Sequence, residues 1–200
     1  MTSNRIVVGM TGATGAIYGV RLLEVLAGSA FETHLVASEW ARKTIAIETC
    51  RRPDEVFALA HRTYREDNQA AAISSGSFLT AGMVIAPCSM KTLAAIANGL
   101  ADNLVARAAD VVLKEQRKLV LLVRESPLNV IHLENMLKLA RLGVVIVPPV
   151  PAFYAKPHDL DEMVDHTVGR VLDLFGIDHA LVRRWGGSSP VEQLVRLPEI

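Results

Sequence analysis

Short runs that are apolar or nearly so recur along this chain, and each is followed by a stretch of helical periodicity. The runs are Ile6-Val7-Val8, Thr33 to Ala37, Met83 to Ala86, Leu119 to Val123 and Val144 to Val147. A strand that faces water on one side alternates polar and apolar residues, whereas one that is apolar throughout is covered on both faces. Strands of the second kind, separated by helices, specify a parallel sheet with helices on either side. The intervening helices are read at Ile17 to Leu26, with Val20, Leu23 and Ala27 on one face, at Glu39 to Thr49, and at Pro53 to Ala60. Further helices are read at Leu93 to Ala97 and Leu104 to Glu115, then along the stripe Leu133, Met136, Leu137 and Ala140. The last carries Val164, Val168, Val171, Leu172 and Phe175. The polar, Ser/Ala-rich region from His61 to Phe78 reads as a long loop with helical turns. The expected fold is α/β: a doubly wound, mostly parallel, Rossmann-like sheet with helices on both faces. It forms a single domain over residues 1–185, with Gly186-Gly187-Ser188-Ser189-Pro190 opening a tail over 186–200.

Composition narrows the function. Among 200 residues, 21 are basic and 21 acidic. That balance argues against a strongly basic nucleic-acid binder. Half of the chain is hydrophobic, which for this length points to apolar surface buried between subunits. Cys50 and Cys88 make neither a disulfide scaffold nor a metal knuckle, and no H-E-x-x-H occurs, so no metal is expected. There is no export signal and no apolar run long enough to span a bilayer, so a reducing cytoplasm and no membrane are expected.

In doubly wound sheets ligands sit outside the carboxyl ends of the strands. The first such loop, Gly9 to Ala16, has small residues that let backbone approach a phosphate, with a helix N-terminus behind them. A tight strand-to-helix turn explains the same residues. The second loop has Ser38 where a dinucleotide site needs an acid, and Glu32 lies at the other end of that strand. This favours a mononucleotide such as FMN over NAD, although Ser38 also suits a helix cap. After the Met83 run, Ser89, Met90, Lys91 and Thr92 form a second polar cradle, and Cys88 reads as a small buried hydrophobe. After the Leu119 run, Arg124 is placed for a phosphate or flavin carbonyl and Glu125 for proton transfer. A surface Arg-Glu pair is the alternative.

Taken together, Met10 to Ala16, Ala86 to Leu93, Arg107 to Val111 with Lys114-Glu115, Arg124 to Pro127 with Ile131 to Met136, and Pro148 to Tyr154 resemble the UbiX-type flavin prenyltransferases. That family includes proteins named as the flavoprotein component of phenolic or aromatic acid decarboxylases, and the resemblance runs from Ile6 to about Trp185. It implies that reduced FMN is alkylated by dimethylallyl phosphate, first at N5 and then at C6, without a metal. It further implies that the prenylated FMN passes to a UbiD-type decarboxylase, and that the enzyme is a homododecamer with its sites between subunits. The match places Gly12, Ala13, Thr14, Ser38, the Ser89 to Thr92 loop and Arg124 on FMN. It places Tyr154 and Arg170 on the donor phosphate with Lys114 and Glu125 beside them, Glu48 in proton handling, and Trp185 near the prenyl pocket. Thr14 stands where many members have Ser, and Asp67 to Ala70 departs from members with an aromatic there. Two other readings remain: a non-catalytic FMN-binding accessory subunit, and an FMN-dependent decarboxylase acting directly. A peptidyl-cysteine decarboxylase would need P-x-M-N-x-x-M where this chain has Pro127-Leu128-Asn129-Val130.

Overall fold

The computed structural model describes residues 3–182 and residue 184. Trp185 and the expected tail over 186–200 lie outside the described residues. Six parallel strands form one sheet: β1 (Arg5–Met10), β2 (Glu32–Ala37), β3 (Arg62–Arg65), β4 (Gly82–Cys88), β5 (Lys118–Val123) and β6 (Val145–Ile146). Their order is β3-β2-β1-β4-β5-β6, as expected of a doubly wound sheet. Val8 lies opposite Leu35 on one side and Val84 on the other, so the carboxyl ends of the central strands share one edge. The strand order reverses between β1 and β4, and a crevice opens at such a point.

The apolar runs are explained by their cover. Every residue of β4 is buried. Alternate residues of a strand point to opposite faces: Ile6 and Val8 join one core cluster, Val7 the other. Helices α1 (Ala16–Ala27) and α7 (Leu160–Phe175) cover the first face through Val20, Leu23, Val168 and Leu172. On the same side pack α2 (Glu39–Glu48), through Ile45, and the short α3 (Pro53–Phe57), through Val56. Helices α4 (Met90–Ala97), α5 (Leu104–Lys114) and α6 (Val130–Arg141) cover the second face through Leu93, Leu104, Val112 and Leu139. Gly19 lets α1 lie against β4, because a Cβ there would stand 2.3 Å from the Ala86 carbonyl oxygen.

Two expectations are corrected. The region from His61 to Phe78 is not only loop: Arg62-Thr63-Tyr64-Arg65 is edge strand β3, followed by a 3-10 turn at Ala72–Ser74. A four-residue edge strand with both arginines exposed lacks the apolar signal of a covered one. On α6 the stripe of Leu133 and Leu137 faces outward, each about half exposed, while Leu139 is fully buried. The helix therefore buries a face rotated from the one its apolar residues mark.

Candidate active site

Hydrogen bonds from backbone and from one side chain draw four loops together at the carboxyl edge. The buried Thr11 is the centre of this tie. Its hydroxyl donates to the Pro87 carbonyl at 2.8 Å and accepts the Ser89 N–H at 2.9 Å, joining the loops after β1 and β4. The Ser38 N–H donates to the Met10 carbonyl at 3.0 Å, and the Arg124 N–H to the Cys88 carbonyl at 3.2 Å. Ser38, Ser89 and Arg124 thus arrive at one edge, with Gly12 to Thr14 between them.

Three helix N-termini face this edge, and the chain treats them differently. At α1, Glu48 Oε2 accepts the N–H groups of Gly15 at 2.8 Å and Ala16 at 2.9 Å. Gly15 holds φ +94°, a left-handed conformation that glycine adopts without strain. At α2, the Ser38 hydroxyl caps Ala41 N–H at 3.1 Å, and Glu66 Oε1 accepts Glu39 N–H at 2.9 Å. At α4, only the Ser89 hydroxyl serves, accepting Thr92 N–H at 3.3 Å and donating to Thr92 Oγ1 at 3.2 Å. The first N–H groups of a helix have no carbonyl one turn earlier to bond. Those of Met90 and Lys91 therefore keep their attraction for an anion, and no carboxylate of the described residues caps them. At the glycine-rich loop an internal carboxylate thus holds the α1 N-terminus. Gly12 is also accounted for by packing, since a Cβ there would stand 2.3 Å from Trp40 Cβ. The capping expected of Ser38 is present, and its own hydroxyl hydrogen remains to donate.

A second polar group forms beside α7. Tyr154, on a 3-10 turn at Phe153–Ala155, places its hydroxyl 3.2 Å from His166 Nε2, with the rings edge to face. Arg170 follows His166 one helical turn later, on the same side of α7. A cavity of about 290 Å³ lies alongside, lined by Ala152, Met163, His166 and Leu181 among others. Glu125 is exposed and accepts the Ser126 N–H at 3.0 Å.

Lys114 is not brought to this group within the protomer. It ends α5, four residues before β5 begins, and so lies at the amino edge of the sheet. The six residues of β5 separate the edges by roughly 20 Å. There Lys114 pairs with Glu115, holding that carboxyl below its usual range, and packs against Gly76. Cys88 is fully buried, and burial pushes its thiol up to about 12. It packs as an apolar residue and is not a nucleophile.

Comparisons with known proteins decide the family. The Flavoprotein family profile matches residues 1–172. A probable UbiX-like flavin prenyltransferase of Bacillus subtilis is 62% identical over 183 residues, covering 92% of this chain and 90% of that protein. The chain belongs to the UbiX-type flavin prenyltransferases. Solved UbiX-type structures share the fold. A dodecameric FMN-dependent UbiX-like decarboxylase from Escherichia coli O157:H7 superposes with a TM-score of 0.90 at 59% identity, over 92% of this chain and all of that one. AnUbiX, solved with FMN and dimethylallyl pyrophosphate, gives a TM-score of 0.91 at 52% identity, over 94% of this chain and 100% of that one.

Within this UbiX-type frame, three residues join those named from the sequence. Thr11, inside the Met10 to Ala16 motif, ties the loops. Glu66 fills the α2 N-terminus from a region that reads as loop. His166, a helix residue outside every motif, meets Tyr154. Only the fold brings the last two to their partners, because sequence separations of 27 and 12 carry no periodic signal.

Proposed function

We propose that this chain joins the dimethylallyl group of dimethylallyl phosphate to N5 and C6 of reduced FMN, making prenylated FMN for a UbiD-type decarboxylase. The observation that carries this reading is a pair of separate groups suited to anions, one at the carboxyl edge and one along α7. One is the α4 N-terminus with Lys91; the other is Tyr154 with Arg170. A reaction between two phosphorylated substrates needs two such positions, whereas a flavin carrier needs one. The complex of AnUbiX with FMN and dimethylallyl pyrophosphate supports the pairing of ligands.

When bound, reduced FMN supplies the nucleophilic N5 and C6 positions. The N–H groups of Met90 and Lys91, the Lys91 ammonium and the Thr92 hydroxyl hold its phosphate, and they fit a dianion because no internal carboxylate competes there. The Ser38 hydroxyl and the Arg124 guanidinium orient the rest, with Gly12, Ala13 and Thr14 forming the floor. A phosphate monoester carries between about 1.5 and 2 negative charges near neutrality. The Tyr154 hydroxyl and Arg170 stabilise that charge most as the C–O bond breaks, which lowers the barrier rather than only tightening binding. Lys114 joins them from a second copy of the chain, in an oligomer that we take to be the dodecamer of the Escherichia coli relative. Glu48 fixes the first loop through two N–H bonds, while Glu125, which accepts one, takes the proton lost at C6. Two free cysteines fit a reducing cytoplasm, and no helix of the described residues is long and apolar enough to cross a membrane.

The test is anaerobic incubation with reduced FMN and dimethylallyl phosphate, followed by mass spectrometry of the extracted flavin. A flavin heavier by one prenyl unit is expected from the wild type. Arg170→Ala is expected to bind FMN normally and yield none. Unmodified FMN from wild-type protein that binds it, with the diphosphate donor also inert, would leave the carrier reading in its place.

A further inference from the structure

Two guanidinium groups and an imidazole converge on one carboxylate on α7. Asp173 Oδ2 accepts from Arg170 Nη1 at 2.7 Å and Arg184 Nη1 at 3.2 Å. Its Oδ1 accepts from Arg184 Nη2 at 2.7 Å and lies 3.1 Å from His179 Nε2. The carboxylate is 17% exposed and His179 1%, whereas the Arg170 and Arg184 side chains are 56% and 63% exposed. The Arg184 guanidinium, helped by His179, holds the Asp173 carboxyl down to about 2, against the opposing effect of burial. Asp173 is thus ionised at any working pH.

The chain after α7 doubles back along that helix. Gly176 ends α7 at φ +66°. The returning segment lies so close at Gly169 that a Cβ there would stand 2.3 Å from Val182 Cγ2 and 2.8 Å from His179 Cε1. Leu181 and Val182 line the cavity beside His166. Arg184, the residue before Trp185 in sequence, returns to Asp173 with a two-pronged contact.

We propose that Asp173 is a positioning residue of the donor site: one carboxylate fixes the Arg170 guanidinium and, through Arg184, the segment that returns along α7. The inference rests on the function proposed above, in which Arg170 holds the donor phosphate. Arg170 is exposed and long, with costly rotamer freedom. A fixed acceptor at 2.7 Å removes that freedom before the donor arrives, and preorganisation is what a leaving phosphate rewards. The alternative role for Asp173, a counter-ion that competes with phosphate for Arg170, predicts the opposite sign, so one substitution separates them.

The experiment uses the intact oligomer with reduced FMN and dimethylallyl phosphate, and inorganic phosphate as competitor. Asp173→Asn is expected to raise the KM for the donor about tenfold, the factor one charge-assisted hydrogen bond commands. The Ki of inorganic phosphate should rise with it and kcat should fall, because Arg170 acts most strongly as the C–O bond breaks, while FMN affinity stays nearly unchanged. Arg184→Gln, at an exposed side chain that the fold does not need, should raise the same KM less. The double variant should add nothing to Asp173→Asn, because both act through one contact. An unchanged or lowered KM in Asp173→Asn overturns the proposal. Additive effects overturn the coupling through Arg184. Should the wild type make no prenylated FMN, the reading of function has failed on its own. Calorimetry with inorganic phosphate then still decides whether Asp173 sets Arg170.

Discussion

His34 sits on β2 with its ring stacked on Tyr64 and meeting Phe78 edge-on. Its Nδ1 lies 2.9 Å from the Tyr64 hydroxyl and its Nε2 3.2 Å from Glu32 Oε1. Burial lowers its pKa from the usual 6.5, although the Glu32 carboxylate pulls the other way. A histidine whose folded pKa is depressed binds protons more readily when unfolded, so acid favours unfolding. Its stabilising share is intact above pH 6.5, falls as the pH drops below that value, and levels off below the folded pKa. Melting curves should therefore shift downward between about pH 7 and pH 5, by about 3–5 °C for each unit of depression in a protein of this size. His34→Gln should flatten that slope, and a slope equal to the wild type's would refute the assignment. Nothing in the sequence separates His34 from the five other scattered histidines. Its environment comes from β3 and Phe78, in the stretch that reads as loop.

At the scale of elements, the loop after β4 is held by a residue of the loop after β1. Thr11→Val keeps the side-chain shape but removes the bond to the Pro87 carbonyl and strands the Ser89 N–H. An unsatisfied buried donor costs about 1–3 kcal/mol. The cradle at the α4 N-terminus should loosen with it, so the variant should melt earlier and bind FMN more weakly. Intact FMN affinity beside a lowered melting temperature would show that the tie serves stability alone. Elements with strong periodicity are legible from the residues: β1, β4, β5, α1, α5 and α7 lie where apolar runs and helical spacing place them. β3 is not, since an exposed edge strand needs no apolar pattern. The cradle after β4 is legible because Ser, Lys and Thr after a buried strand have few other uses. The preference of α4 over α1 and α2 for an anion is hidden, since it turns on Glu48 and Glu66, which reach their helix ends only through the tertiary fold.

Over the whole molecule, the protomer displays apolar surface that a lone chain of this size would keep inside. Val130, Ile131, Leu133 and Leu137 on α6 are all half exposed or more, as are Trp40, Ile47 and Phe153. Lys114 ends α5 on one face of the sheet and Arg170 lies on α7 across the other face, so a site that uses both must draw on two chains. The consequence is testable by co-expressing Lys114→Ala and Arg170→Ala subunits with different affinity tags and purifying the hybrids. Each variant alone should be inactive. In a randomly mixed symmetric assembly, about a quarter of the sites would receive wild-type Lys114 from one copy and wild-type Arg170 from another, restoring about a quarter of the activity. Were both residues drawn from the same chain, every site would carry one lesion and the hybrids would be as inactive as the parents. FMN content, unaffected by either substitution, normalises the comparison, so recovery of turnover reads the shared site directly.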